Sequence, residues 1–190
     1  MERNEISQKA LELAEKLKIR VPWVKIVALK PHDALLADYF AMATQEDSEG
    51  KKLWDRFPTR EEAIKVNLVG RVIEVALCKF LGIYPDLHVG DFKTRPDLPA
   101  LGLDVRGSMS HKGQFPVYKN DPPERLMVFG SWQTGTDFVA IHGFHETGML
   151  QIEGRWSEVS LIGKPAFWVD SSELRPMDEL DEARKHGGLR

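Results

Sequence analysis

The sequence predicts a mixed α/β fold, in which a mixed β-sheet is flanked by helices and preceded by a helical extension. Apolar residues recur at helical spacing as far as Gly82, whereas short β-rich segments bounded by Gly, Pro or Asp follow. The 190 residues are 42% hydrophobic and 29% charged, which is typical of one globular domain with a buried core.

Two helices are predicted near the N-terminus. Apolar residues recur with helical spacing over residues 5–18, which predicts an amphipathic helix. A second helix is predicted over residues 33–43, where Asp33 is a good N-cap. The polar stretch 44–52, TQEDSEGKK, is predicted to be a loop.

The third predicted helix has a clear start and end. Thr59 precedes Glu62 by three residues, the spacing of a capping box, and Gly82 is a residue that favours a helix C-terminus. Cys78 lies in the apolar pattern of this helix and is expected in the core. One cysteine offers neither a disulfide framework nor a cysteine metal cluster.

The charges of this third helix are unevenly distributed. At about 100° per residue, Lys65 and Lys79 fall on one face and Glu74 falls nearly opposite, with Arg71 on its flank. If the lysines face water, Glu74 faces inward, where a carboxylate needs a partner or a metal. The alternative is a simple ion pair between Glu74 and Arg71 on a solvated face.

The second half is predicted to be a sheet. Short strands are predicted at residues 91–93, 103–106, 125–131, 137–143 and 166–169. The stretch 148–158 is ambiguous between a short helix and a covering loop. The strongly charged tail from Asp178 is expected to fray.

Charge and hydropathy narrow the classes of protein. The formal net charge of −3 argues against a non-specific basic coat protein, but it leaves room for an enzyme with a locally basic groove. The charged N-terminus lacks an apolar signal core, and no apolar run is long enough to span a bilayer. We therefore expect a cytoplasmic protein without a membrane partner.

The segment around Asp104 carries the chemistry. On a strand, Asp104 and Arg106 point to the same face, and the turn-forming stretch after Asp97 can bring that residue beside Asp104. Two close carboxylates repel each other unless a cation such as Mg²⁺ lies between them. The alternative is a surface ion pair between Asp104 and Arg106 on an edge strand.

The order of these residues resembles the PD-(D/E)xK nuclease superfamily. The resemblance rests on Glu74 in a helix, then Pro96-Asp97, then Asp104-Val105-Arg106. The stretches GRVIEVALCKFLG, DLPALGLDVRGSMSHKGQF, PPERLMVFGS and GKPAFWVDSSELRPMDEL resemble small phage-encoded members. The likeness extends over about residues 64–180.

The resemblance implies a restriction-endonuclease-like core and a Mg²⁺-dependent deoxyribonuclease of a bacterial or phage-infected cell. The core would span residues 59–177, after a helical extension at 1–58 and before a charged tail at 178–190. The extension is a candidate module for binding a protein partner. A homodimer is also compatible with the resemblance, because many proteins of this fold pair to cut both strands.

The resemblance also assigns roles to residues. Asp97, Asp104 and the backbone carbonyl of Val105 would hold Mg²⁺ or Mn²⁺, and Glu74 would bind a second ion or orient a metal-bound water. Arg106 would steady the scissile phosphate. Asp91 is the competing candidate for the position of Asp97.

One position departs from the family pattern. Arg106 stands where the family usually has lysine, and arginine stays protonated and cannot act as a base. It can still bind a phosphate with two hydrogen bonds. Lys93 and Lys112 are candidate substitutes for the missing lysine.

The predicted contacts with nucleic acid are made by four residues, Arg71, Arg106, His111 and Lys112. For the last two, a solvated turn is an equally good interpretation. His142 and His145 are three residues apart in a predicted strand, a spacing that does not suit one zinc ion, and we expect them to be exposed or at a strand end.

A second function is compatible with the same fold. Arg106 in place of lysine and the acidic balance of the chain would suit a catalytically degenerate protein. Such a protein would bind nucleic acid or a protein partner without cleavage.

Overall fold

The computed structural model describes residues 8–50, 59–86, 88–90, 95–158 and 165–186. These residues form a mixed α/β fold. In chain order the helices and strands are α1 (Gln8–Arg20), β1 (Lys25–Ala28), α2 (Pro31–Gly50), α3 (Arg60–Leu81), β2 (Leu103–Ser108), β3 (Gln114–Val117), β4 (Leu126–Ser131), β5 (Phe138–Glu146), α4 (Thr147–Glu153), β6 (Arg155–Ser157), β7 (Ala166–Asp170) and α5 (Leu180–His186).

The strands form two sheets. The first sheet has the order β1-β5-β4-β2, in which β2 and β4 are parallel and the other pairs are antiparallel. The second sheet has the order β3-β7-β6 and is antiparallel. Strand β2 therefore lies at an edge of the first sheet.

The first sheet is covered on both faces. On one face, Val128 and Ile141 pack with Ile73 of α3 in the main apolar core. On the other face, Met127 and Phe129 pack with the second sheet. Because successive residues of a strand point to opposite faces, β4 contributes to both apolar clusters.

Helix α3 begins and ends where the sequence predicts. The Thr59 side chain accepts a hydrogen bond from the backbone N–H of Glu62 at 3.2 Å. Gly82 adopts a φ of 68°, and its N–H donates to the last carbonyls of the helix. Cys78 is buried as predicted, and burial raises the pKa of its thiol to about 12.

Helix α2 is longer than predicted at both ends. It begins at Pro31, so Asp33 lies in its first turn and is not its N-cap, and residues 44–50 continue the helix instead of forming a loop. Residues 51 and 52 of the predicted loop lie outside the described residues. Two of the polar residues that suggest a loop, Thr44 and Gln45, have partners on α3. Gln45 is buried and accepts a hydrogen bond from Asn67, and Thr44 accepts from Arg71. Polar side chains that pair across a helix interface look like loop residues in sequence.

The segment 1–58, expected to be a helical extension, also contributes a strand to the first sheet. Strand β1 pairs antiparallel with β5, in the register Lys25 to Ile141. A strand of four residues carries too short a periodic pattern to identify. Strands β3 and β6 were also not predicted, and Pro116 in β3 obscures a strand that lies at a sheet edge.

The remaining predictions have mixed outcomes. The predicted strands at 103–106, 125–131, 137–143 and 166–169 are confirmed with small changes in their ends, whereas 91–93 lies outside the described residues. The ambiguous stretch 148–158 contains most of α4 and all of β6. The tail from Asp178 does not fray as predicted. It forms α5 up to His186, because Leu180 and Ala183 are buried in the main core. Among the described residues, no helix has the length and apolar character needed to cross a membrane.

Candidate active site at the edge of strand β2

Asp97 and Asp104 lie side by side, as the sequence predicts. Leu98 and Leu103 form an antiparallel bridge, and the chain reverses between them through Gly102, whose φ is 66°. The residues just outside this bridge are Asp97 and Asp104. The backbone N–H of Asp97 points at a carboxylate oxygen of Asp104, at 3.4 Å.

The edge of β2 that faces away from β4 adds a backbone carbonyl to this pair. The N–H of Val105 donates to the carboxylate of Asp97 at 2.8 Å, so it points away from β4. In a strand, the N–H and the C=O of one residue point to the same side. The carbonyl of Val105 therefore also lies on the edge that carries Asp97.

The surroundings of Asp97 and Asp104 disfavour the ionised form of each carboxyl group. Burial raises the pKa of Asp97, and the nearby Asp104 carboxylate raises it further, although the Val105 N–H opposes both effects. Burial also raises the pKa of Asp104, against the attraction of Arg125. A cation at this edge would relieve both carboxylates.

Glu74 faces inward from α3, as predicted, while Lys65 and Lys79 are exposed. Its carboxylate accepts a hydrogen bond from Arg71 at 2.6 Å, with side-chain exposures of 13% for Glu74 and 9% for Arg71. The alternative prediction, an ion pair of Glu74 with Arg71 on a solvated face, is right about the partner and wrong about the exposure to solvent. Burial and the Asp97 carboxylate raise the pKa of Glu74 to about 8, despite Arg71.

Glu74 and Asp104 approach β2 from opposite sides. A side chain at Gly107 would contact Ile73 of α3, so the face of β2 that carries Val105 and Gly107 is turned toward α3. By alternation, Asp104 points to the other face. Asp97 at the strand edge lies between the two acids and interacts electrostatically with each.

The donor set at this edge fits Mg²⁺ or Mn²⁺ in its chemistry, because both ions prefer carboxylate and carbonyl oxygens. Asp97, Asp104 and the Val105 carbonyl form that set. Among the described residues, no three His, Cys, Asp or Glu side chains stand together as a ready-made metal site. Mg²⁺ usually keeps several waters, so two carboxylates and a carbonyl are compatible with it.

Asp104 and Arg106 share a face of β2, but they pair with other residues. Arg125, just before β4, lies 3.2 Å from the Asp104 carboxylate. Arg106 donates to Asp121 at 2.7 Å and lies over the ring of Tyr118. The predicted alternative of a surface pair between Asp104 and Arg106 is therefore wrong.

Tyr118 and Asp121, the two residues that hold the Arg106 side chain, are in turn fixed by α4. The side-chain amide of Gln151 donates to the backbone carbonyls of Tyr118 and Asp121, both at 2.9 Å. Asp121 also accepts from the N–H of Tyr118 at 2.8 Å. The guanidinium of Arg106 therefore has a defined orientation on the face that carries Asp104.

The other predicted contacts with nucleic acid differ in their setting. Lys112 is exposed in the turn after β2, whereas Arg71 is buried and donates to Thr44 as well as to Glu74. The ring of His111 points inward, with its Nδ1 2.7 Å from the Ser131 hydroxyl. Lys93 and Asp91 lie outside the described residues.

The prediction that His142 is exposed or at a strand end is wrong. The β5 ladder is irregular opposite Phe129 and Gly130, and His142 is the residue left unpaired there. Its ring is buried, with Nε2 2.7 Å from the Ser131 hydroxyl, which His111 also contacts. Burial lowers the pKa of His142 to about 4, while His145 is half-buried near the strand end.

Acidification is expected to destabilise the fold through His142. Because the pKa of His142 is about 4 against an ordinary 6.5, the unfolded chain takes up the proton first. The contribution of the neutral ring is complete above pH 6.5 and is lost as the pH falls toward 4, by about 3 kcal/mol. Urea unfolding across this pH range measures the loss.

Two variants make the measurement specific. His142→Gln should reduce the acid-dependent loss of unfolding free energy, whereas His32→Gln, at an exposed site on α2, should retain it. An unchanged pH dependence in His142→Gln would show that other groups cause the acid sensitivity.

Sequence reasoning missed Arg125, Asp121 and Tyr118, which surround the face of β2 that carries Asp104. Arg125 lies just before β4. Strand β4 pairs in parallel with β2, although β3 lies between the two strands in the chain. The weak signal is the two acids and two bases of YKNDPPER, Asp121 and Arg125 among them, between two β-rich stretches.

Comparisons with known proteins add no identification. No protein-family model, no curated protein and no solved structure matches the chain.

Proposed function

We propose that this protein is a metal-dependent DNA nuclease that hydrolyses phosphodiester bonds. The observation that carries the proposal is the pairing of Asp97 and Asp104 at the edge of β2 that faces away from β4, with the Val105 carbonyl on the same edge. Two adjacent, largely buried carboxylates are costly in a protein without a use for them. The resemblance of the sequence to PD-(D/E)xK nucleases points to the same residues.

Asp97, Asp104 and the Val105 carbonyl would hold Mg²⁺ or Mn²⁺. A bound divalent cation lowers the pKa of water and neutralises charge that develops on a phosphate. Glu74 would act from the α3 side of the edge, through its interaction with Asp97. Its ion pair with Arg71 limits how far its carboxylate can move toward the pair.

Arg106 would bind the scissile phosphate. A guanidinium cannot remove a proton from water, but it can donate two parallel hydrogen bonds to a phosphate and stabilise its developing charge. The side chain is 25% exposed and is held by Asp121 over Tyr118. Such fixed orientation is what electrostatic stabilisation of a transition state requires.

Arg106→Ala is expected to lower Mg²⁺-dependent cleavage by about 10²–10³-fold, because it removes the positive charge aimed at the phosphate. Mn²⁺ should still bind at least as tightly as to the wild type, because the variant keeps Asp97 and Asp104 and loses a positive charge near them. Rates on supercoiled plasmid, linear duplex and single-stranded DNA would measure the loss and identify the substrate class.

Two further variants sharpen this test. Arg106→Lys should recover part of the rate, since lysine keeps the charge but loses the planar fork. Arg155→Ala, at an exposed site on β6, should cut DNA as the wild type does. Wild-type cleavage by Arg106→Ala would remove Arg106 from the proposed mechanism.

A second candidate function is nucleic-acid or protein binding without cleavage. It is favoured by the finding that Glu74 and Asp104 are already paired with arginines, which compensates their charge without a metal. Calorimetric titration of the wild type with Mn²⁺ separates the two candidates. A nuclease site should bind the ion, whereas a degenerate site should not.

A further inference from the structure

Arg125 occupies the place at Asp104 that a cation would need. One terminal nitrogen of its guanidinium, Nη1, lies 3.2 Å from each oxygen of the Asp104 carboxylate. Each of the two side chains is only 13% exposed. A metal ligand offers the same oxygen lone pairs, so the guanidinium and a metal ion compete for them.

The backbone of Arg125 is fixed, so an exchange must involve its side chain. The N–H of Arg125 donates to the carbonyl of Pro122, and its carbonyl accepts from the N–H of Thr147 at the start of α4. A side chain at Gly148 would meet the Pro123 carbonyl at 3.0 Å, which shows how closely this turn packs on α4. The guanidinium can therefore leave Asp104 by rotation about the side-chain torsions of Arg125, without a shift of its backbone.

Arg106 is close in sequence to Asp104 but has a different partner. Its guanidinium is held by Asp121 and lies over Tyr118, while the guanidinium of Arg125 faces Asp104. The two arginines thus have separate tasks on one face of β2. Arg106 is held by Asp121 in an orientation that would suit an anion, whereas Arg125 neutralises the Asp104 carboxylate.

We propose that Arg125 is the built-in counter-ion of Asp104 in the metal-free protein, and that a divalent cation binds only when the Arg125 side chain leaves the carboxylate. The inference rests on the proposed metal site. It assigns Arg125 as a residue that sets metal affinity, a positioning residue that acts through Asp104. Ion binding and departure of the guanidinium are then one equilibrium.

The test is calorimetric titration of the full chain with Mn²⁺ alone, at a pH that ionises the aspartates. Arg125→Ala should bind Mn²⁺ about tenfold more tightly than the wild type, because the metal-competent state no longer has to be freed from the guanidinium. Arg155→Ala, which removes an exposed arginine of β6, is the charge-matched control and should change the affinity little. A purely structural role for Arg125 predicts unchanged or weaker binding.

A second readout guards against a folding defect. Arg125→Gln retains a hydrogen-bond donor for Asp104 and should show the same direction of change with a smaller size. Mn²⁺ should raise the Tm of either variant by more than it raises the Tm of the wild type. Equal or weaker Mn²⁺ binding in both Arg125 variants overturns the inference while the proposed metal site stands. Absence of Mn²⁺ binding in the wild type and in both variants overturns the metal site itself and the inference with it.

Discussion

Asp104→Ala is expected to reduce Mg²⁺-dependent DNA cleavage to the level seen with EDTA, and to abolish Mn²⁺ binding. The carboxylate of Asp104 is half of the acid pair. Asp97 and the Val105 carbonyl alone offer too little negative charge to replace some of the waters bound to a divalent ion. Cleavage rates and Mn²⁺ titration, measured on the same preparation, check both parts.

The conservative variant Asp104→Asn separates charge from shape. It keeps the size of the side chain and should lose activity equally, because a neutral amide is a poor ligand for Mg²⁺. Asp181→Asn, at an exposed site on α5, is the control and should cut DNA normally. Cleavage by Asp104→Ala at the wild-type rate would remove Asp104 from the active site.

Above pH 8, where Glu74 is ionised, Arg71→Ala is expected to lower the free energy of unfolding by about 3–5 kcal/mol, because it leaves the Glu74 carboxylate buried without its partner. Arg71 also donates to Thr44 at 3.0 Å, so α2 and α3 lose a shared contact. Urea unfolding measures the effect. The exposed pair of Arg60 with Glu49 is the control, and Arg60→Ala should change stability by less than about 1 kcal/mol.

The pH dependence of Arg71→Ala follows from Glu74. The pKa of Glu74 is already about 8 in the folded protein, above its ordinary 4.5, so the folded state is disfavoured as the pH rises through this range. Removal of Arg71 raises that pKa further, so the variant should be less unstable in mild acid than at higher pH. Adding Glu74→Gln should recover part of the stability.

The same variant distinguishes two roles for Arg71. A structural role predicts the large loss of stability described above. The role in nucleic-acid binding that the sequence suggests predicts instead a nearly unchanged unfolding free energy and weaker DNA binding. Fluorescence anisotropy with a labelled duplex measures the second quantity.

Local signals account for the parts of the fold that the sequence predicts. The Thr59 cap and Gly82 define α3 because each acts through backbone hydrogen bonds within a few residues. The turn that brings Asp97 beside Asp104 also lies within eight residues of chain. These features require no knowledge of distant partners.

Long-range pairing accounts for the parts that the sequence does not predict. Strand β1 is recognisable only through its partner β5, far along the chain. Thr44 and Gln45 of α2 look like the start of a loop until their partners on α3 are known. Arg125 reaches Asp104 only because β4 pairs with β2 in parallel, which no local pattern reveals.

The three acids that the sequence predicts at one metal site do not form one cluster in the structure. Glu74, Asp97 and Asp104 occur in an order that suggests one cluster, but Glu74 lies on the α3 side of β2 and Asp104 on the other. Arg71 compensates the first and Arg125 the last. Asp97, whose carboxylate accepts from a backbone N–H, lies between them. Its charge raises the pKa of Glu74, and the Asp104 carboxylate raises the pKa of Asp97.

The measurement that tests the central claim most directly is the nicking of supercoiled plasmid by the wild-type protein with Mg²⁺, after EDTA, and after Mg²⁺ is restored. Asp104→Asn is assayed beside it from a parallel preparation. The account predicts nicking that EDTA stops and restored Mg²⁺ recovers, and none by the variant. Nicking that persists in EDTA, or that the variant performs equally well, would contradict a metal-dependent active site at Asp97 and Asp104.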